Sequence, residues 1–143
     1  MMAVEMLSVA SVLPTPAFGQ WPTPSEYVYF DFDSSKLTKY GQQVVDHFAS
    51  ETKKIGSTSK ILVSCHADRA GKEDYNFALS ERRCATVRDA LIAAGVAPQL
   101  IVLWPRGESA APVATPDGVK EQGNRFAIVD YCYAFDQRPR SCD

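Results

Sequence analysis

The sequence predicts an α/β domain, a two-layer sandwich in βαβαββ order with two main helices on one face of a mixed four-stranded sheet. Three observations carry this. Short aromatic and β-branched runs alternate with two stretches of helical periodicity. Crossovers that pass through helices favour parallel neighbours. Each helix also carries an apolar stripe that needs a sheet to cover it.

The first predicted strand is Tyr27–Phe32, YVYFDF, with Asp31 near its end. Asp33, Ser34 and Ser35 follow as a polar turn and as candidate helix caps. In the first helix Leu37, Gly41, Val44 and Phe48 recur at helical spacing, and Tyr40 and Val45 widen the stripe. Lys60–Cys65, KILVSC, reads as a strand covered on both faces. The charged segment HADRAGKED then leads to a second helix over Glu73–Ala94. Its stripe is Ser80, Cys84, Val87 and Leu91, and Gly95 takes the terminating position. Leu100–Trp104 is the third strand, and Pro105, Arg106, Gly107 and Glu108 are expected to turn after it. Residues 109–124 form a connection long for a passive loop, and Arg125–Tyr131 is the last strand.

The folded domain is therefore expected over 27–131. Residues 1–26 are an apolar start and a linker holding Pro14, Pro16, Pro22 and Pro24, and 132–143 are a tail. The start, MMAVEMLSVASVL, reads as the remnant of a secretory signal, with the small residues Ala17 and Gly19 near a cleavage point. No lipobox-type cysteine stands near it. No apolar run reaches about 18 residues, so no transmembrane segment is expected. The formal charge of −2 argues against a nucleic-acid binder, which carries a basic footprint. Of the four cysteines, Cys132 and Cys142 are placed to close a small loop in an oxidising compartment. Cys65 and Cys84 fall inside regular elements and read as small buried hydrophobes.

Four constellations bear on chemistry: Asp31, the run His66-Ala67-Asp68-Arg69, the helical set Asn76, Ser80 and Arg83, and the pair Asn124-Arg125. Asn76, Ser80 and Arg83 share one helix face. Arg83 borders the apolar stripe, where a bare guanidinium is costly and requires an anion. An internal carboxylate, Asp68 or Asp31, is one candidate partner. A ligand carboxylate, which suits the planar fork, is the other. Asp68 and Arg83 flanking one crevice would make a site for a zwitterion.

Enzyme chemistry finds little support. Cys65 and His66 are strand neighbours whose side chains point to opposite faces, unsuited to a nucleophile and its base. Cys65, His66 and Asp68 lack zinc spacing and a fourth ligand. There is no HExxH, Walker or GxSxG pattern. No cofactor and no metal are expected.

From about Tyr27 to Asp130 the chain resembles the OmpA-like C-terminal domain, the peptidoglycan-associating module of porin-like proteins, peptidoglycan-associated lipoproteins and flagellar stator proteins. The matching text is VYFDFDSSKLT at 28–38, CHADRAGKEDYNFALSERRCATVRDALIAAGV at 65–96, the GES turn at 107–109 and GNRFAIV at 123–129. The resemblance implies non-catalytic binding of the peptidoglycan peptide stem through its diaminopimelate residue, at the periplasmic side of the outer membrane. Asp68 then takes the ligand amine and Arg83 a ligand carboxylate. Asp31 lines the pocket, Asn76 orients loop or ligand, and Arg125 is a rim contact. Outer-membrane or other envelope proteins are further expected partners. The sequence departs from the family pattern at Cys65 (glycine), Ala67 (threonine), Cys84 (alanine), Pro105 (glycine) and Phe126 (the second arginine of NRR). The loss at Phe126 keeps an alternative open, a structural or stator-type protein-interaction module with reduced wall binding.

Overall fold

The structure is a computed structural model that describes residues 25–56, 58–109, 111–132 and Cys142. The expected signal remnant and most of the linker and tail lie outside these residues. Strands β1 (Glu26–Tyr29), β2 (Ile61–His66), β3 (Ile101–Gly107) and β4 (Phe126–Tyr131) alternate with helices α1 (Lys39–Ile55) and α2 (Glu73–Ala93). The sheet order is β1-β4-β2-β3. β4 is antiparallel to both neighbours, and β2 and β3 run parallel. The mixed sheet with two helices against one face is the architecture the sequence predicts.

Strand alternation sets the packing. Val28, Ile61, Val63, Cys65, Ala127, Val129 and Tyr131 point to the helical face and join Val45 and Phe48 of α1 and Cys84, Val87 and Leu91 of α2 in one core. Gly41 lets α1 approach β1, because a Cβ there would stand 3.2 Å from Val28 Cγ1. On the other face Leu62, Cys132 and Cys142 make a smaller cluster with Val102 and Trp104 packed on it. β2 is buried at every position, as its unbroken apolar run implies.

Several local expectations are corrected. The α1 cap is Thr38, whose hydroxyl accepts from the Gly41 N–H at 3.0 Å, not Asp33, Ser34 or Ser35. Those three belong to a turn in which Asp33 adopts φ 50°. Tyr40 is 66% exposed and lies off the α1 stripe. β1 stops at Tyr29, although the Phe30 N–H still reaches the Arg125 carbonyl at 2.9 Å. β3 runs on through Pro105 and Arg106 to Gly107 because it is an edge strand, where proline costs no ladder bond on its open side. Gly107 has φ 57°, and a Cβ there would lie 3.2 Å from the Phe77 backbone, so the position where β3 meets α2 needs glycine.

The largest correction concerns cysteine. Cys65 and Cys84 are not free hydrophobes but a disulfide, with Cα atoms 5.7 Å apart. A core-facing strand position meets a stripe position of α2 there. Cys132 and Cys142 form the second disulfide. Each closes a loop whose entropy is worth about 3 kcal/mol.

Candidate functional site

The loop after β2, the start of α2 and the turn after β1 meet around a cavity of about 160 Å³ lined by Phe32, Asp33, Asp68, Ala70, Gly71, Tyr75, Asn76 and Leu79. A larger groove of about 620 Å³ lies along the other flank of α2, against Arg106 to Ser109. The smaller cavity gathers Asp68 and Asn76, and it is the candidate site.

Asp68 is 4% exposed. Its Oδ2 accepts from Arg125 Nη1 at 2.8 Å and from the Glu121 N–H at 3.1 Å. Its Oδ1 accepts only a long 3.3 Å bond from the Ala70 N–H, closing an Asx-type turn. One oxygen is thus committed to the protein while the other remains weakly engaged. Arg125 also donates to the Phe30 carbonyl at 3.3 Å and to Gln122 Oε1. It therefore sits beneath the cavity edge, supporting Asp68.

Arg83 is fully buried. Nε donates to the Ser34 carbonyl at 2.9 Å, Nη1 to the His66 carbonyl at 2.8 Å and Nη2 to the Asp31 carbonyl at 3.3 Å. Its guanidinium lies 5.0 Å from the Phe30 ring. It thereby ties α2 to the end of β2 and to the turn after β1. Burial pulls its pKa down to about 10, Asp68 pulls upward and Arg125 adds to the fall. At neutral pH it remains a cation whose hydrogen-bond partners here are neutral carbonyls.

Asn76, 1% exposed, donates to the Gly71 carbonyl at 3.1 Å and to Glu108 Oε2 at 2.7 Å, and so fixes the mouth of the loop. Ser80 on the same face accepts from the Gly107 N–H at 2.9 Å. Asp31 is exposed and contributes its carbonyl to Arg83. The carboxylate that lines the cavity from this turn is Asp33, which accepts from the Tyr75 hydroxyl. His66 is buried against Phe126, ring centroids 4.5 Å apart. Burial lowers its pKa to about 4, so the ring is neutral at pH 7.

Sequence reasoning brought Asp68, Arg83, Asn76 and Arg125 to one place. It did not single out Asp33, Phe32, Tyr75 or Glu108. The 109–124 connection is now explained in part. The Gly118 N–H donates to the Arg69 carbonyl, Arg69 Nη1 donates to the Thr115 carbonyl at 3.2 Å, and Arg69 pairs with Asp117. The connection thus forms a wall beside Asp68. Among the described residues no group of three or more His, Cys, Asp or Glu is placed to hold a metal ion. Among them, too, no helix is long and apolar enough to cross a membrane.

Fold and site together define an α/β domain with a small, charge-lined cavity beyond the carboxyl end of β2. The chain belongs to the OmpA family, whose model matches residues 29–125. It is 37% identical over 87 residues to a peptidoglycan-associated lipoprotein of Pseudomonas aeruginosa, covering 61% of this chain and 50% of that protein. It is 36% identical over 114 residues to outer membrane protein A of Escherichia fergusonii, covering 78% and 45%. The chain thus spans about half the length of these relatives. Among solved structures, the peptidoglycan-associated lipoprotein of Burkholderia pseudomallei superposes with a TM-score of 0.67 at 29% identity, covering 74% of this chain and 89% of that one. The C-terminal domain of Helicobacter pylori MotB shares the fold, with a TM-score of 0.65 at 15% identity, covering 77% and 84%.

Proposed function

We propose that this domain binds peptidoglycan without cutting it, holding the diaminopimelate residue of the peptide stem in the cavity beside Asp68. The observation that carries this is a buried carboxylate with one weakly engaged oxygen lining a cavity, with the Arg83 cation, hydrogen-bonded to backbone carbonyls, close behind it. The stem residue ends in an ammonium and a carboxylate on one carbon. The ammonium docks on Asp68 Oδ1. The carboxylate is drawn to Arg83, whose fork must exchange a carbonyl for it, and to the start of α2. That helix is capped at Lys72 without a side-chain cap bond, and Tyr75 and Asn76 of its first turn line the cavity. N–H groups at a helix start favour an anion.

The relatives named for peptidoglycan association support the same substrate. Two disulfides among the described residues suit the oxidising periplasm, where an outer-membrane-associated wall anchor works. One weak domain suffices when many copies engage a single polymer.

Sedimentation with purified sacculi tests this. Asp68→Asn and Arg83→Ala are each expected to weaken retention by roughly tenfold to a hundredfold, the range for a lost charge-assisted bond. Retention equal to the parent in both variants contradicts it.

One observation favours a second reading. Phe126 stands where the family pattern has an arginine and is packed on His66, so that positive charge is absent here. A domain that has shed wall affinity would serve as a protein-interaction module. A folded parent that binds neither sacculi nor free diaminopimelate would establish that reading instead.

A further inference from the structure

The charges around the cavity do not balance against the proposed stem. A stem peptide brings one ammonium at its diamino acid and carboxylates both there and on the preceding glutamate. The cavity lining supplies the carboxylates of Asp33 and Asp68, while Arg83 is fully buried and Arg125 is committed to Asp68. With Arg83 given to the carboxylate of the diamino acid, positive charge for the glutamate carboxylate must come from the mouth.

Two exposed cations stand there, each held over an aromatic wall of the cavity. Lys120 Nζ lies 4.0 Å from the Phe32 ring centroid, and the Arg82 guanidinium lies 5.7 Å from that of Tyr75. Phe32 and Tyr75 both line the cavity, and both are nearly half exposed. The positions are built by the fold. Glu121, next to Lys120, donates its N–H to Asp68 Oδ2, so the long connection delivers Lys120 beside the buried carboxylate. Arg82 precedes Arg83 on α2 and points outward where Arg83 points in. A cation seated on a ring keeps its charge and loses conformational freedom, so it costs less to engage an anion.

We infer that Lys120 and Arg82 form a cationic rim that takes the stem carboxylate lying outside the pocket, that of the glutamate. This rests on the stem-binding reading and adds two residues to it. The rim makes recognition depend on the acidic neighbour of the diamino acid, not on the zwitterion alone. It also gives the 109–124 connection a task, that of presenting Lys120. Exposed charges act weakly and through a screened field, so the signature is modest and salt-dependent.

The experiment uses the full chain and soluble muropeptides, in two forms that differ only in a free or an amidated glutamate carboxylate. Lys120→Gln with Arg82→Gln should bind the free-acid form about threefold to tenfold more weakly near 0.05 M salt, and the gap should close toward 0.5 M. With the amidated form the variant and the parent should differ little. Lys120→Arg should bind as the parent does. Asp68→Asn, run alongside, reads the pocket itself. If it loses binding while the double variant matches the parent on both forms, the rim is overturned and the stem reading stands. A parent that binds neither form overturns both.

Discussion

Two regions of the site each bury an arginine, and they use it in opposite ways. At the entry to β4, Arg125 is neutralised by Asp68 at 2.8 Å and braces it. On α2, Arg83 is deeper, yet its hydrogen bonds go to three backbone carbonyls from two other segments. The first arrangement fixes a carboxylate. The second holds its charge through neutral carbonyls, with Asp68 and Asp33 acting on it across space and without a direct ion pair, and a buried charge held in that way is expensive. In the proposed binding mode the ligand anion goes toward α2 and the amine toward Asp68. It also implies that Arg83 holds the turn after β1 in place even before ligand arrives.

Breaking the α2 side should have the largest effect. Arg83→Met removes donors from three carbonyls, and a loss of about 3–5 kcal/mol in urea unfolding is expected, the range for a broken buried polar network. Arg83→Lys keeps the charge but not the fork, and should recover only part. If Arg83→Met is as stable as the parent, the anchoring role assigned to that side is wrong.

Next comes the covalent link on the same side. The Cys65–Cys84 disulfide brackets the bond from Arg83 to the His66 carbonyl, since each cysteine adjoins one partner. The Cys65→Ala, Cys84→Ala variant should lose about 3 kcal/mol and bind more weakly. The Cys132→Ala, Cys142→Ala variant should lose a similar amount, because its loop is comparable, but leave wall binding unchanged. Equal binding losses in the two pairs would dissolve the distinction between site and outer face.

A smaller effect is set by pH. His66 has a folded pKa of about 4 against an ordinary 6.5. The unfolded chain takes up its proton first as pH falls, so the stability tied to the neutral ring is full above about 6.5 and drains toward 4. About 2 kcal/mol should be lost between pH 7 and about 4.5 from this residue. His66→Phe should flatten that part of the urea midpoint profile. An unchanged slope would show that the buried ring is not its source.

The smallest effect lies at the mouth. Lys120→Gln and Arg82→Gln should each change unfolding stability by under about 0.5 kcal/mol, as exposed substitutions do. Thermal unfolding of each variant checks this, and a larger loss would mean that the rim is part of the frame.

Much of this was legible in the sequence. The stripes of α1 and α2 and the unbroken apolar run of β2 placed the core, because periodicity reports burial directly. The shared face of Asn76, Ser80 and Arg83 is buried as expected for a polar set beside a stripe. What escaped needed tertiary distances. Cys65 and Cys84 each read as core residues, and their pairing became visible only when β2 met α2. An even cysteine count, with both members at core positions where the family pattern has small residues, was the available signal. The partner of Asp68 was sought in Arg83 or a ligand, yet Arg125 arrives from 57 residues away. Thr38 follows three polar residues of similar capping propensity, so the sequence alone does not single it out as the cap.

The most direct measurement compares calorimetric binding of two stem peptides identical except for diaminopimelate or lysine at the third position, using the parent and Asp68→Asn. A site made for a zwitterion should prefer the diaminopimelate stem by tenfold or more in the parent, roughly one charge-assisted bond, and should lose that preference in the variant. Equal affinity of the folded parent for both stems would contradict it.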